Sequence, residues 1–323
     1  MLDRYGRVIN YLRISVTDRC NLRCCYCMPE GVQDVGMKNI LTFEEIWEIV
    51  RTGVSLGITH IRITGGEPLM RKGCVDLIRG IREIPGVETI TMTTNGVLLE
   101  NYGKQLKEAG VDGVNISLDT LDPEEFYKIT GKRELQEVLA GIRAAKTAGL
   151  PVKLNAVNRK ELDPIPLVRY AQEENLPIRF IEMMPVGYGK KYVGRSNEEL
   201  RETLEAVCGN AECMTNREEL SRMGSGPAVY YQFSDLKVPV GFISAIHGKF
   251  CDTCNRVRLT AEGYLKLCLC YDEGEDLRRV LREGEKENLR TIMEQTIFRK
   301  TAAHCFEHPA EMTETHEMVK IGG

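Results

Sequence analysis

The sequence predicts an α/β fold: an incomplete (β/α)6 TIM-like barrel followed by a smaller α+β domain. Three observations predict it. From about residue 10 to 210, short β-rich runs bounded by Gly, Pro or polar residues alternate with amphipathic helical patterns. The alternation supplies six strand–helix units, which implies parallel strands joined by right-handed crossovers and falls short of a closed eight-stranded barrel. After about residue 210 the long helices between strands disappear, so the chain divides into 1–210 and 211–323.

The expected strands of the first part are 12–16, 58–64, 88–93, 113–118, 152–157 and 178–183. Helix starts punctuate them. Thr42-Phe43-Glu44-Glu45 reads as a capping box opening a helix that runs through Leu56. Asp122-Pro123 and Asp163-Pro164 each offer an N-cap followed by proline at the first helical position. Ser196 and Glu199 form a second capping box. In the second part, 229–233, 238–246 and 256–269 read as strands. In barrels of this kind the reactive site lies at the C-terminal edge of the strands.

With 323 residues, 42% of them hydrophobic and 28% charged, the chain can bury a large core and keep a soluble surface. No apolar run reaches about 18 residues, so no transmembrane helix is expected. Met1-Leu2-Asp3-Arg4 does not open a basic-then-apolar signal, which points to the cytoplasm. A net charge of −4 argues against a nucleic-acid polymer as partner, yet permits a small anion held by converging arginines. Twelve cysteines in such a chain favour metal ligation over disulfides.

Three of those cysteines follow the first strand as Cys20-Asn21-Leu22-Arg23-Cys24-Cys25-Tyr26-Cys27. The C-x3-C-x2-C spacing suits three irons of a 4Fe-4S cube, with one iron left open. A structural zinc site would want a fourth ligand. Cys25, next to Cys24, is expected to point away. Thr64-Gly65-Gly66-Glu67-Pro68 follows the second strand. Its glycines allow close backbone approach, and its carboxylate can accept from a ligand ammonium.

At these residues the chain resembles the radical SAM superfamily. The resemblance implies that S-adenosylmethionine (SAM) chelates the open iron through its methionine part. Reduction then yields a 5′-deoxyadenosyl radical. Tyr26 matches the aromatic residue that the superfamily sets against adenine. Gly66, Ser117 in Asn115-Ile116-Ser117-Leu118-Asp119, and Met184 in Glu182-Met183-Met184-Pro185 match further SAM contacts. For Ser117 and Met184 the other reading is ordinary packing at strand ends.

A second group, Cys251-Asp252-Thr253-Cys254, is followed by Cys268 after thirteen residues and then by Cys270. Three thiolates suit another cluster. Four suit closed zinc, since positions 268 and 270 of one strand share a face. The run Phe250 to Thr260, the run Leu12 to Cys20 and the run Ile61 to Leu69 closely resemble the GTP 3′,8-cyclase family of molybdenum cofactor biosynthesis, and the chain ends in Gly322-Gly323 as that family does. The resemblance implies a second 4Fe-4S cluster on Cys251, Cys254 and Cys268, whose open iron binds the guanine of GTP. It implies GTP contacts from Arg13, Arg62, Thr93, Lys153, Arg179, Arg256, Val257 and Arg258, with Arg13, Arg256 and Arg258 serving the chemistry. It further implies hand-over of the product to a cyclic pyranopterin monophosphate synthase, and a homodimer is expected.

Two positions depart from the family pattern. His60 stands where a lysine near the phosphates is usual, and Cys270 where a non-ligand residue is expected. His304, Cys305, His308 and His316 read as solvated tail residues, and Cys74, Cys208 and Cys213 as structural. A peptide-modifying maturase with an auxiliary cluster is the competing enzyme reading, and a zinc-binding interaction module the competing non-enzyme one.

Overall fold

The computed structural model describes residues 1–31, 35–192, 194–224, 226–284 and 286–322. Its first six strands are β1 (Tyr11–Ser15), β2 (His60–Thr64), β3 (Thr89–Thr94), β4 (Gly113–Ser117), β5 (Val152–Asn158) and β6 (Ile178–Glu182). All six coincide with the expected strands to within two residues. The expected helix starts hold as well. Thr42 and Glu45 exchange both capping-box bonds, as do Ser196 and Glu199, and Asp122 and Asp163 cap the helices beginning at Pro123 and Pro164.

The later strands are β7 (Ala211–Cys213), β8 (Val229–Phe233), β9 (Val240–Ile243), β10 (Arg256–Leu259), β11 (Tyr264–Lys266) and β12 (Gly274–Asp276). They join the same sheet, whose order is β12-β11-β10-β1-β2-β3-β4-β5-β6-β9-β8-β7. β10 lies parallel to β1 and β9 parallel to β6, so eight parallel strands form the partial barrel. Antiparallel strands finish both edges.

Two expected strands are shorter than the sequence suggested. The run 256–269 breaks after Leu259, where the Thr260 hydroxyl accepts the Tyr264 N–H at 3.0 Å across a turn closed by Gly263 at φ +93°. Cys268 and Cys270 therefore lie beyond β11 in irregular chain. The run 238–246 stops at Ile243, because the buried Glu182 carboxylate takes the N–H groups of Ile246 and His247 at 2.7 and 3.1 Å.

Strand alternation sorts the two faces. Leu12, Ile14, Ile61, Ile63, Ile90, Met92, Ile116 and Phe180 are at most 1% exposed and belong to one apolar core. The alternate residues are polar and sit on the concave side. Arg258, Arg13, Arg62 and Thr91 are register partners across β10, β1, β2 and β3. Asn115 pairs with Lys153, and Asn155 with Arg179. The sequence pattern thus buries aliphatic side chains outward and turns a line of cations inward.

The helices Leu99–Glu108 and Leu135–Thr147 pack closely because of small residues. A Cβ at Gly141 would lie 2.2 Å from the Gly96 carbonyl oxygen, whereas one at Gly103 would lie 3.4 Å from that of Ala144. Gly141→Ala should therefore lower stability by about 1–3 kcal/mol through overpacking against backbone. Gly103→Ala should stay within about 1 kcal/mol of the parent, since helix propensity favours alanine. Denaturant midpoints of the two variants check this, and equal midpoints would contradict it.

Candidate active site

A cavity of about 360 Å³ fills the concave side of the sheet, and both cysteine triads open into it. The first triad sits on the loop after β1. One turn forms there, with the N–H groups of Cys27 and Met28 donating to the Cys24 carbonyl at 3.0 Å each. Arg23 braces the turn by donating to the carbonyls of Cys20 and Leu22 at 2.7 and 2.8 Å. Cys25 is not among the lining residues, as expected.

The glycine pair supports this loop from below. Gly66 and Glu67 donate their N–H groups to the carbonyls of Thr17 and Arg19 at 2.7 and 2.8 Å. A Cβ at Gly65 would lie 2.5 Å from the Thr17 oxygen, and one at Gly66 2.5 Å from the Arg19 oxygen, so only glycine permits the approach. Glu67 corrects an expectation. Its carboxylate faces away from the cavity, fully buried, and accepts from the Thr94 hydroxyl at 2.9 Å and the N–H groups of Asn95 and Leu69 at 2.8 and 3.1 Å. Burial pushes its pKa up to about 7. It ties the turn to β3 instead of meeting a ligand.

Tyr26, Gly66, Ser117 and Met184 all line the cavity. The Tyr26 hydroxyl donates to Asp119 at 2.6 Å, and the other Asp119 oxygen accepts the Val157 N–H at 2.8 Å. Asp119 therefore fixes the ring that stands between Cys24 and Cys27 in the chain. Sequence reasoning passed over it, although it stands two residues after Ser117 in a run already singled out.

The second triad is shaped by the N-terminal arm. Arg7, paired with the buried Asp3 at 2.6 Å, donates to the carbonyls of Cys251, Thr301 and Ala302 at 2.9, 2.5 and 2.7 Å. It clamps the segment around residue 302 onto the cysteine turn. Cys251, Cys254 and Cys268 line the cavity. Burial raises the Cys254 pKa, but Lys300, Arg256 and the Arg256 N–H outweigh it and bring the thiol down to about 7. Arg7 and Lys300 carried no sequence signal, since each acts through backbone carbonyls or field remote in the chain.

Cys270 does not share a face with Cys268. Its Sγ lies 3.1 Å from that of Cys305 and accepts the Cys305 N–H at 3.2 Å, and Cys270 is fully buried away from the cavity. The reading of His304 and Cys305 as solvated is also corrected: both are buried, and His304 lines the cavity with its N–H 3.5 Å from Cys251 Sγ. Folding the tail back over the second triad removes them from water. His308 and His316 are exposed.

The residues present fit iron–sulfur clusters. Among the described residues, no three cysteine sulfurs lie within 4.8 Å of one another. Tetrahedral zinc with bonds near 2.3 Å would bring its sulfurs to about 3.8 Å apart. Burial and neighbouring sulfurs push the Cys24 and Cys27 thiols up, Cys27 to about 12, so thiolates there require a cationic group to bind. Three thiols on one loop can hold three corners of a cube.

Between the triads stands the line of cations. Burial, then Arg258 and Arg62, push the Arg13 pKa well below the ordinary arginine value. Burial and Arg256 bring Arg258 down to about 10, and burial, Arg179 and Arg62 bring Lys153 down to about 8. Arg179 is held by Asn155 and Asn115 at 2.9 and 2.6 Å, and Arg62 by Thr91 at 3.2 Å. The Thr93 hydroxyl is buried at this wall without a partner. Such a cluster favours a polyanion. Two expected contacts differ: Lys153 and Val257 are not among the lining residues, and the Val257 side chain lies wholly in the apolar core because it alternates with Arg256 and Arg258. His60 also stays outside the lining, stacked on Tyr11 with Nδ1 2.8 Å from the Thr59 hydroxyl. The tail arrives here too, with Arg258 donating to the Gly322 carbonyl at 3.0 Å. Gly323 lies outside the described residues.

Comparison with known proteins agrees with this arrangement. Residues 14–164 match the Radical SAM superfamily and residues 176–306 match Molybdenum Cofactor Synthesis C. The chain is 41% identical over 330 aligned positions to a GTP 3′,8-cyclase of Clostridium perfringens, covering all of both chains. It is 42% identical over 328 positions to that of Petrotoga mobilis, again over both full lengths. Among solved structures, Streptococcus suis SuiB bound to S-adenosylmethionine superposes with a TM-score of 0.65 at 15% identity, over 97% of this chain and 77% of that one, a likeness of fold.

The geometry separates Cys268 from Cys270. Cys268→Ala should lose about half the iron of the anaerobically reconstituted protein, while Cys270→Ala keeps it. Iron analysis checks this, and the reverse outcome would move the ligand to Cys270.

Proposed function

The chain belongs to the GTP 3′,8-cyclase family of radical SAM enzymes, and we propose that it holds GTP between its two cysteine triads, with Arg13, Arg256 and Arg258 meeting the substrate. The reaction is the SAM-dependent rearrangement of GTP to (8S)-3′,8-cyclo-7,8-dihydroguanosine 5′-triphosphate, an early step of molybdopterin biosynthesis. The observation that carries the substrate placement is the line of cations lying between two cysteine triads in one cavity.

A 4Fe-4S cluster on Cys20, Cys24 and Cys27 would supply, with SAM on its open iron, the 5′-deoxyadenosyl radical that takes the ribose 3′ hydrogen. Tyr26, Gly66, Ser117 and Met184 form the wall that would seat SAM, with Tyr26 kept in place by Asp119. Cys251, Cys254 and Cys268 would hold the second cluster, which would take the guanine. Arg258, Arg13 and Arg62 receive negative charge along one side, and Thr93 and Arg179 approach from the other. Planar guanidiniums suit phosphate oxygens, and their mutual repulsion falls when a triphosphate enters. In this reading residues 1–210 carry the SAM end, and residues 211–323 carry the second cluster and a tail that closes the cavity. An exposed apolar group of Leu2, Tyr5, Val8 and Phe298 supports the homodimer. The family resemblance supports hand-over of the product to a cyclic pyranopterin monophosphate synthase. No helix among the described residues is long and apolar enough to cross a membrane.

Anaerobic incubation with SAM, GTP and a strong reductant, with product identification, tests the reading. The reconstituted protein should carry about eight irons per chain. Iron near four with one zinc would exclude the second cluster. Arg13→Ala, Arg256→Ala and Arg258→Ala should each lower cyclisation by about two to three orders of magnitude while still releasing 5′-deoxyadenosine slowly. Wild-type cyclisation by all three would remove the arginines from the substrate site and favour the peptide-maturase reading.

Deleting Gly322 and Gly323 should abolish cyclisation and leave both clusters assembled. Full activity of the shortened chain, measured in the same assay, would detach the tail from the reaction.

A further inference from the structure

The C-terminal tail makes contact with both ends of the cavity. Met318 and Val319 line the cavity that Cys27 also lines. Three residues later the Gly322 carbonyl accepts from Arg258. A Cβ at Gly187 would lie 2.9 Å from Glu317 Cα, so the tail passes against bare backbone there. These contacts need a defined register, because a slip of one residue would present Gly322 elsewhere. The buried side chains of Val319 and Ile321 hold the tail down, but apolar contact is not directional.

The tail starts at Glu314, whose carboxylate forms an ion pair with Lys266 at the end of β11. Both side chains are out of water, 0% exposed for Glu314 and 2% for Lys266. Further hydrogen bonds hold both residues. Glu314 accepts the His316 N–H at 2.6 Å and donates its own N–H to the Cys270 carbonyl at 3.2 Å. Lys266 donates to the Tyr271 carbonyl at 3.1 Å. Asp272, Glu314 and His316 bring ligand atoms within 4.8 Å of one another, but the Lys266 ammonium already supplies the cation of that group.

Two charges taken out of water add little net stability, and the best-attested use of such a pair is to set register. We propose that the Glu314–Lys266 ion pair sets the register of the C-terminal tail over the cavity, which makes Glu314 and Lys266 positioning residues for GTP cyclisation. This rests on the reading in which the tail serves the reaction. The pair fixes residue 314 on β11, two residues before Cys268. The eight residues from 315 to 322 then have one path past Gly187 and Cys27 to Arg258. Removing Glu314 leaves the buried Lys266 facing only Asp272, at 3.6 Å on the same segment as the cysteines, so the tail end lifts and Gly322 leaves Arg258.

The test uses the full chain reconstituted anaerobically with iron and sulfide. Glu314→Gln should keep its iron and the spectrum of the first cluster with SAM. It should lower cyclisation by about 10²-fold, the usual cost of misplacing groups by an ångström. Hydrogen exchange across residues 315–322 should quicken in the same variant. The swapped pair, Lys266→Glu with Glu314→Lys, should recover both iron content and part of the cyclisation even if a single variant folds poorly. Cyclisation at the parent rate in Glu314→Gln, unchanged exchange in the tail, or a swapped pair no better than the singles would overturn the proposal. If Glu314→Gln is normal while deletion of Gly322 and Gly323 abolishes cyclisation, only the anchor fails. If the deletion is fully active, the tail reading itself fails and the anchor with it.

Discussion

Like-charge crowding on the concave side of the sheet is the constraint around which this molecule is organised. Arg258, Arg13 and Arg62 are register partners on three adjacent parallel strands. Neighbouring strands lie about 4.8 Å apart, so the guanidiniums cannot avoid one another. Burial and mutual repulsion hold Arg13 and Arg258 below the ordinary arginine range. The fold sustains this because the opposite face of the same strands is uniformly aliphatic and fully buried. Packing on the outside fixes a polar arrangement on the inside that has little stability of its own and whose charge favours anions.

The two cysteine loops are placed at the margins of this field by backbone contacts more than by side-chain ones. The glycine turn after β2 lies flat against the base of the first loop, and Glu67, buried and bonded to Thr94 and Asn95, pins that turn to β3. Arg7 does the corresponding work at the second loop, spending its guanidinium on three carbonyls. The common logic is that a loop carrying thiols must be rigid before a cluster forms, since each ligand's position is set by the chain and not by the metal. Tyr26 follows the same pattern, because Asp119 holds its ring in place.

Much of the first half was legible because its signals are local. Six strands and four helix starts follow from alternation, capping boxes and Asp-Pro pairs, each a property of a few adjacent residues. The cysteine spacings and the Gly-Gly turn are equally local. The illegible parts depended on partners far along the chain. The turn at Thr260 and Gly263 broke a run that alternation alone would continue, and so released Cys270 to pack against Cys305 rather than beside Cys268. Glu67 looked like a ligand group in sequence and is a structural carboxylate in space.

The sequence by itself determined which residues could carry chemistry: three-thiol loops, arginines on the strands β1, β2 and β10, and a pair of glycines at residues 322 and 323. Only the tertiary structure decided how they meet. It set β10 beside β1, which brought Arg258 against Arg13 across more than two hundred residues of chain. It seated Glu314 on Lys266 and Gly322 on Arg258. Strand period and ligand spacing are written in neighbouring residues, whereas strand pairing and buried charge pairing depend on which distant surfaces exclude water together.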